Sequence, residues 1–383
     1  MKKLLTVILA ACLAVLPALG AAEGAGLEEN ALELFGSSVR FPAVTGMADE
    51  TAQDAVNARI REDLRVDAYL EKMTALISDE ARSINVDWSG MIAGDVFSGL
   101  LEAETTAGSL LSSHVWTWSS VDLRDGHEIS LGELFTDEAS AREGLETLLE
   151  DLSYDLSPHL QNSSLTPLPE GFRIERTGLT LLYGADQLST LRDRAGAVKI
   201  AWNEIRDFVD WSGDGIPARI GAAEMVNWTE ESAGGLRAMA ESGMLTDIPV
   251  KIGDSVKEWT DRMHQLYDPE EYALGRMFTL EGAAFRDVYL LSDAVDRGWE
   301  NSRVQGIRMD RGCLWGLCIG ETGAEVWRNA LGEPEYMAVF DAEKAESYRT
   351  VSGQCDYYRF GEYTLELQSD TDGILAGITL SGQ

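Results

Sequence analysis

Apolar and polar positions along this chain keep two different periods, and each change of period marks an element. From Ala48 to Asp79 the apolar positions Ala55, Val56, Ile60, Leu64, Val66, Tyr69, Leu70, Met73, Leu76 and Ile77 recur mostly every three or four residues, which predicts helix. Ahead of it, Ser38–Val44 reads as a strand, and Pro42 fits an edge position. Short strand patterns follow at Ile84–Trp88, Met91–Ser98 and Leu100–Thr105. His114–Leu123 alternates as a strand, Arg124-Asp125-Gly126-His127 supplies a turn, and Glu128–Phe135 returns into a helical run from Asp137 to Leu156. Phe172–Ile174 with Leu179–Tyr183 predicts a hairpin. Ala195–Trp202 predicts a last strand, and Asn203–Val209 a short closing helix.

The second half repeats itself. Ile252-Gly253-Asp254-Ser255-Val256-Lys257-Glu258 returns as Ile319-Gly320-Glu321-Thr322-Gly323-Ala324-Glu325. Both copies read strand end, Gly, acid, Ser/Thr, two residues, Glu. Ser255-x-x-Glu258 and Thr322-x-x-Glu325 therefore read as capping boxes, each opening a Trp-bearing helix. A hairpin pattern follows each helix: Phe285–Leu291 with Val304–Met309, and Tyr357–Leu367 with Leu375–Leu380. Matching order in both copies predicts a tandem α+β repeat, over about 248–310 and 314–380. The stretch 211–247, with its Gly-Gly and Ser-Gly breaks, reads as a linker between a module at 36–210 and the repeat domain at 248–383. The fold class expected is α+β throughout.

Composition adds location and charge. Lys2 and Lys3 precede an apolar run from Leu4 to Leu19 and a small-residue exit, so residues 1–22 read as a cleaved secretory signal. Leu9-Ala10-Ala11-Cys12 offers the alternative of a lipoprotein anchored through Cys12, but the run stays apolar beyond it. No later apolar run reaches membrane-spanning length. The formal charge is −34, and losing Lys2 and Lys3 with the leader takes it to −36. Such a chain is repelled by phosphate backbones, which excludes nucleic acid as a partner and leaves basic proteins, cations or plain solubility. Past the leader remain Cys313, Cys318 and Cys355, so one disulfide and one odd thiol are expected, with the pairing left open.

At these motifs the chain resembles known families. The Phe41-Pro42 strand, the long helix, Val121–Phe135 and Ala195–Ile205 together resemble the exported module of the lysozyme-sensing anti-sigma factor RsiV ectodomain. The same module precedes a peptidoglycan deacetylase domain. Arg124-Asp125-Gly126 stands where that family has a Thr-Gly turn, and Ala201-Trp202 replaces its Ile/Pro-Tyr. The repeat half, with Leu331-Gly332-Glu333-Pro334 and Tyr357-Tyr358, is similar to the beta-lactamase-inhibitor-protein-like fold of secreted Gram-positive proteins. The resemblance implies an envelope location and a binding role, and lends no catalytic residue.

The residues themselves offer little chemistry. His114, His127, His159 and His264 fall in separate elements without a metal-ligand partner at helical spacing, and no nucleophile elbow or phosphate loop is present. No catalytic residue, cofactor or metal is expected. The expected function is a non-catalytic binding protein for a basic extracellular protein such as lysozyme, or for a cell-wall component. The alternative is a peptidoglycan-associated hydrolase or an accessory module of a wall enzyme. The candidate anchors are Tyr289, Trp299, Trp315, Tyr357, Tyr358 and Tyr363, about half of which strand alternation should send into the core.

Overall fold

The computed structural model describes residues 24–76, 81–108, 110–155, 165–184, 196–257, 266–280, 287–293 and 301–382. The expected leader, with Cys12, lies outside them, as do Glu258 and Trp299 and the residues 294–300 between the two expected strands of the first hairpin. Helices and antiparallel sheets make the chain α+β, as its patterning predicts. Among the described residues no helix is long and apolar enough to cross a membrane.

By its contacts the chain divides into two compact units. The first takes residues up to 175 together with 179–197 and 207–221. It opens on β1 (Gly26–Leu34) and β2 (Ser37–Thr45), followed by α1 (Glu50–Asp63) and α2 (Val66–Ala75). Then come β3 (Arg82–Ala93), β4 (Val96–Ala107) and β5 (Leu110–Asp122), and the five strands pair in sequence order. Only β2 and β3 run parallel, and their ladder covers just Ser38 and Val39, so Pro42 sits where β2 faces no β3 donor. The expected long helix is two helices. Arg65 at φ 56° ends one and starts the next, without a Gly or Pro to announce it. Val56, Ile60, Leu64, Val66 and Met73 of this pair bury against Val39, Val86, Phe97, Leu101 and Val121 of the sheet. Helix α3 (Glu138–Asp155) follows, then β6 (Gly171–Ile174) and β7 (Gly178–Tyr183), which form the expected hairpin; β8 (Gly196–Ala201) comes next in the chain and belongs mostly to the second unit.

The second unit holds residues 176–178, 198–206 and 222–383. The 211–247 stretch, expected as a linker, is helical: α4 (Ile216–Arg219), α5 (Ala222–Val226) and α6 (Ser232–Ser242). Gly235 and Gly243 pack closely here, while nothing lies within 4 Å of a Cβ on Gly213 or Gly234. A Cβ on Gly235 would lie 2.2 Å from the Trp315 ring, and Met225, Leu236 and Met239 sit in the second unit's core.

Eight antiparallel strands form the large sheet of this unit: β9 (Leu266–Tyr272), β10 (Gly275–Leu280), β11 (Val288–Ser292), β12 (Val304–Met309), β15 (Tyr336–Phe340), β16 (Gly353–Phe360), β17 (Tyr363–Ser369) and β18 (Leu375–Gly382). Between the two sets lie the short hairpin β13 (Cys313–Leu314) and β14 (Leu317–Cys318), then α7 (Ala324–Leu331). The order β15-β16-β17-β18-β12-β11-β10-β9 sets the closing strands of the two copies side by side. Alternation fills the core from one face, with Leu290, Ile307, Met309, Tyr358, Leu365, Leu367, Ile378 and Leu380.

The two stretches make corresponding backbone hydrogen bonds, in a register one residue off the one their sequences suggest. Gly253 donates to the Val304 carbonyl and Gly320 to that of Leu375, both at 2.8 Å. Val304 donates to Asp254 and Leu375 to Thr322; Val256 donates to Ser302 and Ala324 to Gly373. Ser255 thus matches Gly323, not Thr322, and the second copy carries one extra residue. The second capping box is therefore absent. Gly323 is the N-cap, and the Thr322 hydroxyl instead accepts the Cys318 amide at 2.8 Å.

Cys313 and Cys318 are disulfide-bonded across the β13–β14 hairpin, and Cys355 is a free, buried thiol. Burial pushes the Cys355 thiol well above its ordinary range. In the chain freed of residues 1–22, alkylation should leave Cys355 unlabelled when native, label one thiol on unfolding, and label two more only after reduction. Three thiols labelled without reductant would contradict the pairing.

Candidate partner-binding edge

The structure scatters the aromatic residues that sequence nominates. Tyr358 and Trp315 are core residues at 4% and 8% exposure. Tyr363 is half-buried against the same core, its ring 2.5 Å from where a Gly243 Cβ would be. Tyr289 lies on the opposite sheet face, stacked under the Arg308 guanidinium at 5.9 Å, which Asp310 holds through both oxygens at 2.7 and 2.6 Å. Tyr357 is half-buried beside Tyr336, ring centroids 5.5 Å apart. Of the five described, Tyr357 alone adjoins a large exposed apolar surface; Trp299 lies outside the described residues.

That surface is β15, which sequence reading passed over. Tyr336, Met337 and Val339 are 62%, 51% and 74% exposed, the densest run of exposed large apolar residues among the described ones. The strand forms because Tyr336-Met337-Ala338-Val339-Phe340 is an apolar, β-favouring run after the Gly332 helix stop and Pro334. Ala338 and Phe340 turn to one face and are covered by α8 (Ala342–Ser347), with Ala345, Cys355 and Tyr348. Asp341 caps α8 by accepting the Lys344 amide at 2.9 Å. The Lys344 ammonium lies 4.1 Å from the Phe340 ring centroid. Met337 and Val339 turn to the other face, opposite Asp356 and Gln354.

Acidic groups frame this strand. Glu333 and Glu335 precede it, Asp341 and Glu343 follow it, and all four are exposed. An apolar strip inside a carboxylate rim is the surface a partner with apolar side chains and flanking Lys or Arg would match.

One cluster in the first unit has a different purpose. Asp122, Asp125 and His127 bring ligand-type atoms within 4.8 Å of one another. Arg124 and Arg219 already answer the Asp122 charge, at 2.7 and 2.8 Å. The Asp122 carboxyl is pushed up by burial but pulled down further by those arginines, to about 2. Beside it, His127 contacts Asp125 through Nδ1 at 2.7 Å and Glu133 through Nε2 at 2.9 Å. Both ring nitrogens meet carboxylates, so the imidazolium is favoured, and these two hydrogen bonds raise the His127 pKa. A raised folded pKa makes the contribution complete below the unfolded value and lost as pH rises through the folded one. The melting difference between the native chain and His127→Gln should therefore shrink as pH climbs from about 6 to 9. A difference that is constant over this range would show that the ring is not charged in the fold.

No family model matches the chain, and no curated protein matches it. Three solved structures are similar to parts of it. A DUF3298 family member from Bacteroides fragilis NCTC 9343 has 12% identity and a TM-score of 0.38, covering 54% of this chain and 95% of its own. A DUF3298 family protein from Pseudomonas aeruginosa PAO1 has 13% identity and a TM-score of 0.35, covering 48% and 94%. A DUF4309 family protein from Bacillus subtilis has 14% identity and a TM-score of 0.26, covering 40% and 98%. At these scores the likenesses carry no argument about activity or partner.

Proposed function

We propose that this is an exported, non-catalytic binding protein of the bacterial envelope or exterior that recognises a basic protein, with lysozyme the first candidate. The observation that supports it is the exposed apolar strip of β15 inside a rim of four carboxylates. The −34 charge speeds encounter with a cationic partner, while the apolar strip supplies the contact area that charge alone does not. The sequence resemblances to an anti-sigma factor ectodomain and to an inhibitor fold agree with binding rather than turnover. The disulfide fits a chain that folds outside the reducing cytoplasm.

General acidity attracts any basic protein, so the test must separate contact from bulk charge. Calorimetry with lysozyme in about 0.15 M salt, where the Debye length is near 8 Å, should give a fixed stoichiometry. Tyr336→Ala should weaken binding about tenfold or more, the loss of roughly 1.4 kcal/mol or more that a well-placed aromatic anchor supplies. Binding that cytochrome c reproduces equally, or that ignores Tyr336, would leave only charge attraction.

The hydrolase reading has one candidate cluster among the described residues, and its burial argues against it. Asp87 and Glu102 are partners across β3 and β4, and His114 Nε2 contacts Glu102. All three are under a tenth exposed, which suits a packed polar core more than a substrate cleft. Glu102→Gln should leave any wall-degrading activity of the preparation unchanged.

A further inference from the structure

We infer that β15 is a strand-addition site whose open edge takes an extended peptide strand with alternating apolar residues and Lys or Arg at both ends. This rests on the binding reading above and names its mode. Among the described residues β15 pairs only with β16 and ends the eight-stranded sheet, so no strand meets the main-chain groups on its other side. Sheet edges are ordinarily blunted by Lys, Pro or a charge within the strand. Tyr336–Phe340 contains none of these. Strand addition gives affinity through main-chain hydrogen bonds and selectivity through alternate side chains. Here Met337 and Val339 offer one face and Tyr336 the other.

The charge pattern decides between occupants. A second copy pairing antiparallel about Ala338 would set Glu335 against Asp341 and Glu333 against Glu343. Like charges directly opposite destabilise a ladder, so the rim opposes self-pairing. The same carboxylates at both ends of the strand attract a partner that is basic at both ends. Lys344, the only cation from 333 to 346, is drawn onto the Phe340 and Tyr348 rings.

The probe is a synthetic peptide with a Val-Thr-Val-Thr-Val core between Lys-Arg ends, titrated into the full chain in about 0.15 M salt. A second peptide carries N-methyl groups on all core amides, which keeps its charge and side chains but removes its main-chain donors. The plain peptide should bind one per chain and slow hydrogen exchange of β15 amides. The methylated peptide should bind at least tenfold more weakly. Val339→Arg should weaken the plain peptide at least tenfold with unchanged melting, because that side chain is 74% exposed. Equal binding of the two peptides would overturn strand addition in favour of bulk charge attraction. Dimers of the chain that exclude the peptide would overturn it in favour of self-pairing. Lysozyme binding without peptide binding would overturn it while leaving the binding reading intact. Peptide binding without lysozyme binding would uphold the edge and remove lysozyme as the partner.

Discussion

Asp356→Ala should cost the second unit about 3 kcal/mol of stability, at the lower end of the range for leaving a buried ion unpaired. Asp356 is on β16, fully buried, and faces α7. It accepts from Trp327 Nε1 at 3.0 Å and from Arg328 Nε and Nη2 at 2.6 and 3.0 Å. Gln354 adds a fourth donor at 2.9 Å. Alanine strands the Trp327 N–H, whose side chain is also fully buried. Arg328 is 36% exposed and can turn to water, which is why the low end of the range applies. The pH dependence has a definite sign. Burial pushes the Asp356 carboxyl up, but its hydrogen bonds from Arg328, Trp327 and Gln354 outweigh this and hold it below its ordinary value. A depressed folded pKa contributes stability above the unfolded value, near 3.9, and loses it as pH falls through the folded one. Urea unfolding at pH 7 should show the full loss. Between about pH 4 and 2 the native chain should approach the variant. A loss under about 1 kcal/mol at pH 7 would mean that water replaces the carboxylate.

Asp356 also shows what sequence could and could not yield. The Tyr-rich stretch 357–367 reads as one strand because alternation runs straight through it. In the structure Phe360 pairs with Tyr363, and Gly361 at φ 62° turns the chain between β16 and β17. Asp356 precedes that stretch and carries no periodic signal, since a buried carboxylate breaks the apolar pattern it belongs to. The first edge strand was illegible for the opposite reason. Glu28, Glu29, Asn30 and Glu33 make β1 read as a polar loop, and it forms by pairing with β2 along its length. Helix position was legible and helix register was not. The Trp327 helix is announced by Gly, an acid and Thr, yet one inserted residue moves its N-cap from Thr322 to Gly323, while Trp259 of the first expected helix lies outside the described residues. The tyrosines nominated as anchors were chosen by type. Alternation predicts that about half go inward, and Tyr358 and Tyr363 do, while Trp315 is buried from the turn between β13 and β14. The exposed strip at Tyr336, Met337 and Val339 could have been found in the apolar run after Pro334, had that run been read as a strand at the end of a sheet.

Gly353→Ala should destabilise the second unit by roughly 2–4 kcal/mol, combining backbone strain with an overpacked contact. Gly353 opens β16 at φ 150°, where an added Cβ would lie 2.0 Å from the Ser369 carbonyl oxygen. Gly275 opens β10 in the same way, at φ 153° and 2.1 Å from the Ser292 carbonyl oxygen. The two positions correspond in the sheet. Gln354 pairs with Ser369, and Arg276 pairs with Ser292. Each copy of the repeat therefore brings one backbone against another where only glycine fits. The same constraint recurs in both sets of strands, where the sequence has no matching run. Gly361→Ala is the control. Its φ of 62° is also left-handed, but nothing lies within 4 Å of the added Cβ, so it should cost only about 1–2 kcal/mol. Urea titrations of Gly353→Ala, Gly275→Ala and Gly361→Ala would order the three. If Gly353→Ala and Gly361→Ala cost the same, left-handed strain alone acts at both sites. The contact with Ser369 then has slack, and the two halves of the sheet share a pattern of pairing without sharing the close approach.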